Sequence, residues 1–304
     1  MSDVKPLRVL ISGASGLIGS ALSAHLKGAG HEVHALVRRK PDEAQGEVGW
    51  NPYAGVLDSS RLEGFDAVVH LAGDSIAARW TEARRKSIRD SRVRGTKMLA
   101  EVVSLLPNKP KVFVSASAIG FYGDRGNEEL TERSPIGTGF LPEVCAEWEA
   151  GTKPAMEKGI RTVRLRTGIV LSSKGGALAQ MLTPFKFGLG GVTGTGRQWM
   201  SWISLTDEVA AIHEAIVNPE LSGPVNLTSP FPVTNREFTK TLGKVLGRPT
   251  LFPLPGFVVK LLFGEMGEKL LLEGQKVLPK KLTDLGFRFS YSDLESALRF
   301  ELGK

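Results

Sequence analysis

Ten residues close to the start of the chain, Ile11-Ser12-Gly13-Ala14-Ser15-Gly16-Leu17-Ile18-Gly19-Ser20, limit its possible folds more than any other segment. The apolar run Arg8-Val9-Leu10-Ile11 leads straight into a turn whose glycines recur at every third position. Leu17, Ile18, Ala21, Leu22 and Leu26 follow at helical spacing. Strand, glycine turn and helix in that order open a dinucleotide-binding unit. Gly13 supplies a positive φ where the strand turns. Gly16 leaves bare backbone for a pyrophosphate, and Gly19 lets the helix pack on the strand. The helix N-terminus, framed by Ser15, Leu17 and Ile18, adds unpaired N–H groups and a partial positive charge. A second strand, His31 to Val37, follows the helix stop Gly28-Ala29-Gly30.

The residue after this second strand selects the dinucleotide. An acidic side chain about 20 residues beyond the glycines would hold the ribose 2′-hydroxyl of NAD. Arg38 stands there instead, followed by Arg39 and Lys40. A carboxylate would repel a 2′-phosphate, whereas a guanidinium offers it paired, charge-assisted hydrogen bonds. NADP is therefore expected in preference to NAD, although a solvated basic loop would show the same residues.

A chain of 304 residues is long enough for one α/β domain with a satellite lobe. Its 41% hydrophobic and 23% charged content is that of a soluble globular protein. No run approaches the roughly 20 apolar residues of a membrane span, and the most apolar patch, Phe257 to Phe263, contains Lys260. A single cysteine, Cys145, excludes an intrachain disulfide framework and a cysteine-rich zinc site, and no metal is expected. Met1 to Pro6 holds no long apolar segment, so a signal peptide is not expected and the cytoplasm is. The net charge of +7 gathers partly in Arg79, Arg84, Arg85, Lys86, Arg89, Arg92, Arg94 and Lys97. No aromatic interleaving or nucleic-acid motif accompanies that run. It fits a solvated helix with Glu82 and Asp90 supplying pairs, and no nucleic-acid partner is expected.

Strands and helices alternate through the first two-thirds. Phe65 to Gly73 predicts a buried strand, followed by a helix to about Leu105. Lys111 to Ser117, a run from Arg161 to Arg166, and Gly223 to Thr228 predict further strands. A helix is expected from about Pro142, with Pro154 bending or ending it, while Trp50-Asn51-Pro52-Tyr53 predicts irregular structure. The alternation predicts a Rossmann-like, doubly wound parallel sheet. Residues 172–200 are glycine-rich and suggest a mobile or close-packed loop over a ligand. Residues 230–304 predict short helices, one opened by the capping-box spacing Thr234-Asn235-Arg236-Glu237. The expected division is a nucleotide-binding domain of residues 1–171 and 201–229, with 172–200 and 230–304 forming a small C-terminal substrate lobe.

Together with the glycine turn, Val69-His70-Leu71-Ala72-Gly73 and Ser115-Ala116-Ser117 followed by Tyr122-Gly123 resemble extended short-chain dehydrogenase/reductases. Arg79-Trp80-Thr81, Ser91-Arg92-Val93, Trp148-Glu149, Arg166-Thr167-Gly168 and the run from Gly196 to Ile203 narrow the resemblance. So do Gly223-Pro224-Val225-Asn226, Arg248-Pro249 and Pro279-Lys280-Lys281-Leu282. They resemble one atypical branch, the epimerase family or NAD-dependent epimerase/dehydratases, some of whose members carry a label of cell-division inhibitor. The resemblance spans essentially the whole chain. It implies that Leu71, Ala72, Gly73, Ser115, Arg166 and Gly168 join the glycine turn around the cofactor.

The resemblance also implies a serine with a tyrosine and lysine four residues apart, which a helix places on one face. There the lysine lowers the phenol pKa so that a proton moves as hydride does. Ser117 matches the serine, but the dyad slots fall at Leu141 and Cys145, neither of which can serve. With Val144 and Trp148 they make an apolar face, so Cys145 is expected to be packed. Arg92 stands where the family has asparagine, and suits either an anionic ligand group or a structural ion pair. Tyr122 becomes the candidate proton donor beside Ser117, with packing in its loop as the alternative. Glu143 and Glu147 are weaker candidates; Gln198, Trp199 and Trp202 suit a loop covering a ligand, with Trp202 equally suited to the core. His70 and His213 are expected to be structural. Two functions follow: an NADP(H)-dependent oxidoreductase or epimerase-like enzyme acting on an unknown small or sugar-like substrate, or a non-catalytic NADP(H)-binding regulatory protein.

Overall fold

A computed structural model describes residues 5–304; residues 1–4, on which the reading of the leader partly rests, lie outside the described residues. The chain begins with β1 (Arg8–Ser12), α1 (Leu17–Gly28), β2 (Glu32–Val37), β3 (Glu47–Asn51), β4 (Val56–Leu57) and β5 (Ala67–His70). It continues with α2 (Glu82–Leu105), β6 (Val112–Ala118), β7 (Glu129–Leu130), α3 (Phe140–Ala150), α4 (Lys153–Glu157), β8 (Arg161–Thr167) and β9 (Ile169–Leu171). Then come α5 (Gly176–Lys186), β10 (Trp199–Met200), β11 (Trp202–Ser204), α6 (Leu205–Val217), β12 (Gly223–Leu227) and β13 (Val233–Thr234). The last elements are α7 (Asn235–Leu246), α8 (Gly256–Gly267), β14 (Lys276–Val277), α9 (Lys280–Asp284) and α10 (Leu294–Leu302).

Eight strands form the main sheet in the order β12-β8-β6-β5-β1-β2-β3-β4, all pairs parallel except β3 with β4. Strand order runs outward in opposite directions from β1 and β5. That reversal opens a crevice beyond their carboxyl ends, where α/β sheets bind ligands. Both faces are covered, which explains why β1 and β5 are near-continuous apolar runs. One face carries Val9, Ile11 and Val114 against Leu22, Leu26, Ile212 and Ile216 of α1 and α6. The other carries Leu10, Val68 and Phe113 against Leu99 and Val103 of α2. A separate apolar cluster joins Leu178 and Phe185 of α5 to Trp202, Phe238, Leu242 and Leu298.

The doubly wound sheet is the one expected, and α2 ends at Leu105 as its pattern predicts. The Thr234 capping box forms with Glu237. Three details differ. Trp50 and Asn51 close the regular strand β3, whose Val48 and Trp50 are buried; Pro52 ends it and had masked it. Pro154 does not bend α3. That helix stops at Ala150, and Pro154 sits in the first turn of α4, where its missing N–H costs nothing. The glycine-rich stretch holds a regular helix, α5.

Candidate functional site

A cleft of about 570 Å³ opens at the crevice, lined by Gly13, Ser15, Gly16, Leu71, Ala72 and Gly73 on one side and Arg38 and Tyr53 on the other. Gly13 has φ +74°, and a Cβ there would lie 2.9 Å from the Ala72 nitrogen. No other residue type fits both demands. A Cβ on Gly19 would overlap the Gly13 carbonyl, so Gly19 seats the helix on the turn itself rather than on the strand. Gly16 caps α1 with backbone alone, and no acidic residue stands in the first turn. The opening N–H groups of Leu17 and Ile18 therefore keep their partial positive charge without a side-chain acceptor. The Leu17 side chain lies 3.6 Å from where Gly175, at the start of α5, would carry a Cβ.

The two arginines ending β2 divide their work. Arg39 donates to Glu47 from both terminal nitrogens, 2.6 Å from Oε2 on one of them, and Glu47 also accepts the Asp42 N–H at 2.8 Å. Arg38 is exposed at the cleft and makes no hydrogen bond or ion pair among the described residues. The solvated-loop alternative fits Arg39 less well than the neighbouring Lys40, since Arg39 is paired with Glu47 of β3.

At the carboxyl end of β6 the polar groups behave differently. Ser117 is buried, and its hydroxyl donates to Glu149 Oε1 at 2.9 Å. Arg166, opposite Ser117 in the β6–β8 register, binds the same carboxylate through Nε at 2.7 Å and Nη2 at 2.9 Å. Its third nitrogen donates to the Tyr122 hydroxyl at 3.0 Å. Tyr122 donates in turn to Asn226 Oδ1 at 2.6 Å and is wholly enclosed. Burial pushes its phenol up to about 12, so it stays protonated. The Phe121 ring lies 3.5 Å below the Arg166 guanidinium. Ser117, Glu149, Arg166, Tyr122 and Asn226 thus form one closed network joining β6, α3, β8 and β12.

The NAD dependent epimerase/dehydratase family matches residues 9–227, and a domain of unknown function (DUF1731) matches residues 254–301. The chain is 46% identical over 293 residues to epimerase family protein Mb2239 of Mycobacterium bovis, across 96% of each. It belongs to the NAD dependent epimerase/dehydratase family. The crystal structure of human epimerase family protein SDR39U1 (isoform2) with NADPH matches with a TM-score of 0.90 at 34% identity, over 98% of this chain and 100% of that one. Thermus thermophilus UDP-glucose 4-epimerase, solved with NAD, matches at 20% identity with a TM-score of 0.76 over 98% of each chain, which is a likeness of fold alone. No helix among the described residues is long and apolar enough to cross a membrane.

Within this epimerase/dehydratase frame the dyad slots are filled by packing. Leu141 and Cys145 lie 3.6 and 3.7 Å from where Gly120 would carry a Cβ, and burial lifts the Cys145 thiol to about 12. Three cofactor candidates do not line the cleft. Arg166 has its fork committed to Glu149; Gly168 is required because a Cβ would strike the Ser201 carbonyl; the Ser115 hydroxyl is buried and bonds to the neighbouring Ala116 carbonyl at 3.3 Å. Tyr122 is buried, donates its proton to Asn226 and does not line the cleft. Gln198 laces the loop to the Thr193 and Leu271 carbonyls, Trp199 bonds Asn127, and Trp202 is core. Glu143 and Glu147 reach Arg89 on the surface.

Glu149 was the residue missed. It stands beside Trp148 in the chain, but one buried carboxylate for two buried partners is visible only once α3 meets β8. Also missed was a run of three rings: His31 accepts the Leu7 N–H at 3.2 Å, His31 meets His213 at 3.0 Å, and His213 meets His25 at 3.1 Å. His70, bonded to Ser12 at 2.6 Å and kept neutral by burial at about 4, is structural as expected.

Proposed function

We propose that this family member binds NADP(H) across the Gly13 cleft. On that cofactor it acts as an oxidoreductase or epimerase-like enzyme, of the extended short-chain dehydrogenase/reductase type, on a small or sugar-like substrate. The observation that carries the reading is the pair of arginines after β2. Glu47 neutralises Arg39, while Arg38 keeps an unpartnered guanidinium on the cleft wall, suited to a 2′-phosphate. The Gly13 turn fits a pyrophosphate, since the uncapped start of α1 offers backbone donors and no opposing carboxylate. When bound, the nicotinamide ring would supply hydride transfer. Residues of this chain bind and orient it: Gly13, Ser15 and Gly16 at the phosphates, Leu71, Ala72 and Gly73 along the strand end, and Arg38 at the ribose. Ser117, Glu149 and Arg166 keep the ends of β6 and β8 fixed beside it. The relative solved with NADPH supports the choice of cofactor. Residues 172–200 and 230–304 serve as the substrate lobe, and the free Cys145 thiol accords with a cytoplasmic location.

Calorimetric titration with NADPH and NADH tests this. Arg38→Asp should weaken NADPH far more than NADH; equal weakening would show that Arg38 does not read the phosphate. A second reading, a non-catalytic NADP(H)-binding regulatory protein, is favoured by the closed network. Both candidate hydroxyls, Ser117 and Tyr122, are bonded inside it. NADPH oxidation across carbonyl and nucleotide-sugar panels separates the two, because only the enzyme turns over.

A further inference from the structure

Helix α2 carries its positive charge in two ways. Away from its most buried positions, Arg85 pairs with Glu265, Arg89 with Glu143 and Glu147, Arg94 with Asp90, and Lys97 with Glu101. Arg84, Ile88 and Arg92 instead form a stripe at helical spacing of four, and Ile88 at its centre is fully buried, so the stripe faces inward. Neither arginine of the stripe has a carboxylate within ion-pair distance among the described residues. Arg92 donates to the Ile88 carbonyl at 3.2 Å and Arg84 to the Ser75 carbonyl. The Arg84 Nε is buried with no acceptor. Asp74, whose charge reaches Arg92, already accepts the Ser87 hydroxyl at 2.6 Å.

Arg92 is also held in position. Its guanidinium carbon lies 5.0 Å from the centre of the Trp148 ring and 3.5 Å from where Gly73 would carry a Cβ. Gly73, Asp74 and Ser91 line the cleft, and Gly73 has no side chain to stand between the cleft and the guanidinium. A guanidinium has five donors. One carbonyl is a poor return for a cation taken largely out of water, where charges are ordinarily paired. The structural ion pair considered for Arg92 is therefore not formed, and the anionic alternative remains.

We propose that the Gly73 end of the cleft receives an oxyanionic group, carboxylate or phosphate, of the molecule the site acts on. Arg92 is its counter-charge, and Arg84 reinforces it from the same stripe. The proposal rests on the NADP(H)-dependent enzyme reading, which assigns the rest of the cleft to the cofactor and gives the site a molecule to act on.

The test is thermal unfolding of the NADPH-loaded protein titrated separately with inorganic phosphate and malonate at constant ionic strength. The wild type should show a saturable rise in midpoint with at least one, and the more effective anion identifies the group. Arg92→Met should abolish the rise. Arg92→Lys should keep it at a half-saturating concentration about tenfold higher, because an ammonium retains charge but loses the planar fork. Lys86→Ala, on the exposed side of the helix, should leave it unchanged. No rise in the wild type, or an undiminished rise in Arg92→Met, overturns the proposal. If Arg92→Met does not fold, Arg84→Met and Arg92→Lys decide, and an undiminished response in both overturns it. NADPH affinity is measured on every variant. A loss of about tenfold or more in Arg92→Met would assign the guanidinium to the cofactor instead. A wild type that does not bind NADPH overturns the cofactor reading, and the anion titration repeated without NADPH then decides this one.

Discussion

The turn after β1 and the end of β6 occupy corresponding places at the carboxyl edge of one sheet, yet their polar groups are used in opposite ways. At Gly13 the backbone donors of α1 and the Arg38 guanidinium have no side-chain acceptors and face a cleft. At Ser117 every polar atom of the network has a partner inside the protein: Glu149 takes Ser117 and Arg166, Arg166 reaches Tyr122, and Tyr122 reaches Asn226. Buried polar groups must find partners within the fold, so a region that leaves them open is kept for a ligand and one that closes them is kept for shape. Binding is thus better provided for than acid–base chemistry in this chain.

The strongest way to break the comparison is to open the closed side. Glu149→Ala leaves Arg166 charged, buried and without its carboxylate. Removal of one member of such a pair costs about 3–5 kcal/mol. Denaturant unfolding should show that loss, whereas a cost below about 1 kcal/mol would mean the network does not hold the two strand ends together. On the open side, Arg38→Asp should leave stability unchanged, because the side chain is exposed and unpartnered. It should weaken NADPH by about 1.5–3 kcal/mol, the worth of a charge-assisted bond, with NADH little affected. A matching loss of stability would show that Arg38 has a structural task.

The open side was the more legible in the sequence, for a physical reason. Gly13 and Gly19 are demanded by local backbone geometry, and Arg38 sits a fixed distance down the chain, so short-range spacing reveals them. The network at Ser117 joins residues from 117 to 226, and nothing in spacing shows that Glu149 on α3 lies under Arg166 on β8. Motif position alone suggested that Arg166 and Gly168 touch a cofactor. Packing shows one neutralising a carboxylate and the other yielding to the Ser201 carbonyl. Strand β3 was hidden for a related reason: its partner is β2, and Pro52 directly after it signals a turn.

Tyr122→Phe probes the closed side more gently. It strips Arg166 and Asn226 of one partner each, a cost of about 1–3 kcal/mol, and should not change NADPH affinity. A fall in turnover much larger than the fall in stability would return Tyr122 to the reaction and favour the enzyme over the binding protein.

The pH dependence of stability is the gentlest perturbation, since it changes no residue, and it too divides the two sides. His70, under Ser12 on the open side, is neutral in the fold, its pKa lowered by burial to about 4, and His213 is held as low by burial and by His25 and His31. Unfolding raises both towards about 6.5, so the unfolded chain binds more protons between pH 4 and 6.5. Stability from these groups is intact above that window and is lost as pH falls through it. Glu208, which accepts the Thr167 hydroxyl at 2.9 Å on the closed side, has the opposite sign. Burial pushes its carboxyl up to about 8, so the folded chain holds a proton that the unfolded chain releases above about 4.5. Its contribution is intact below that value and is lost as pH rises towards 8. Glu208→Gln should flatten the alkaline decline, by less than about 1.4 kcal/mol per pH unit, and leave the acid limb as it is. Parallel stability curves for the two proteins from pH 5 to 8 would show that Glu208 is ionised in the fold, and that the closed side is more open to water than its bonding implies.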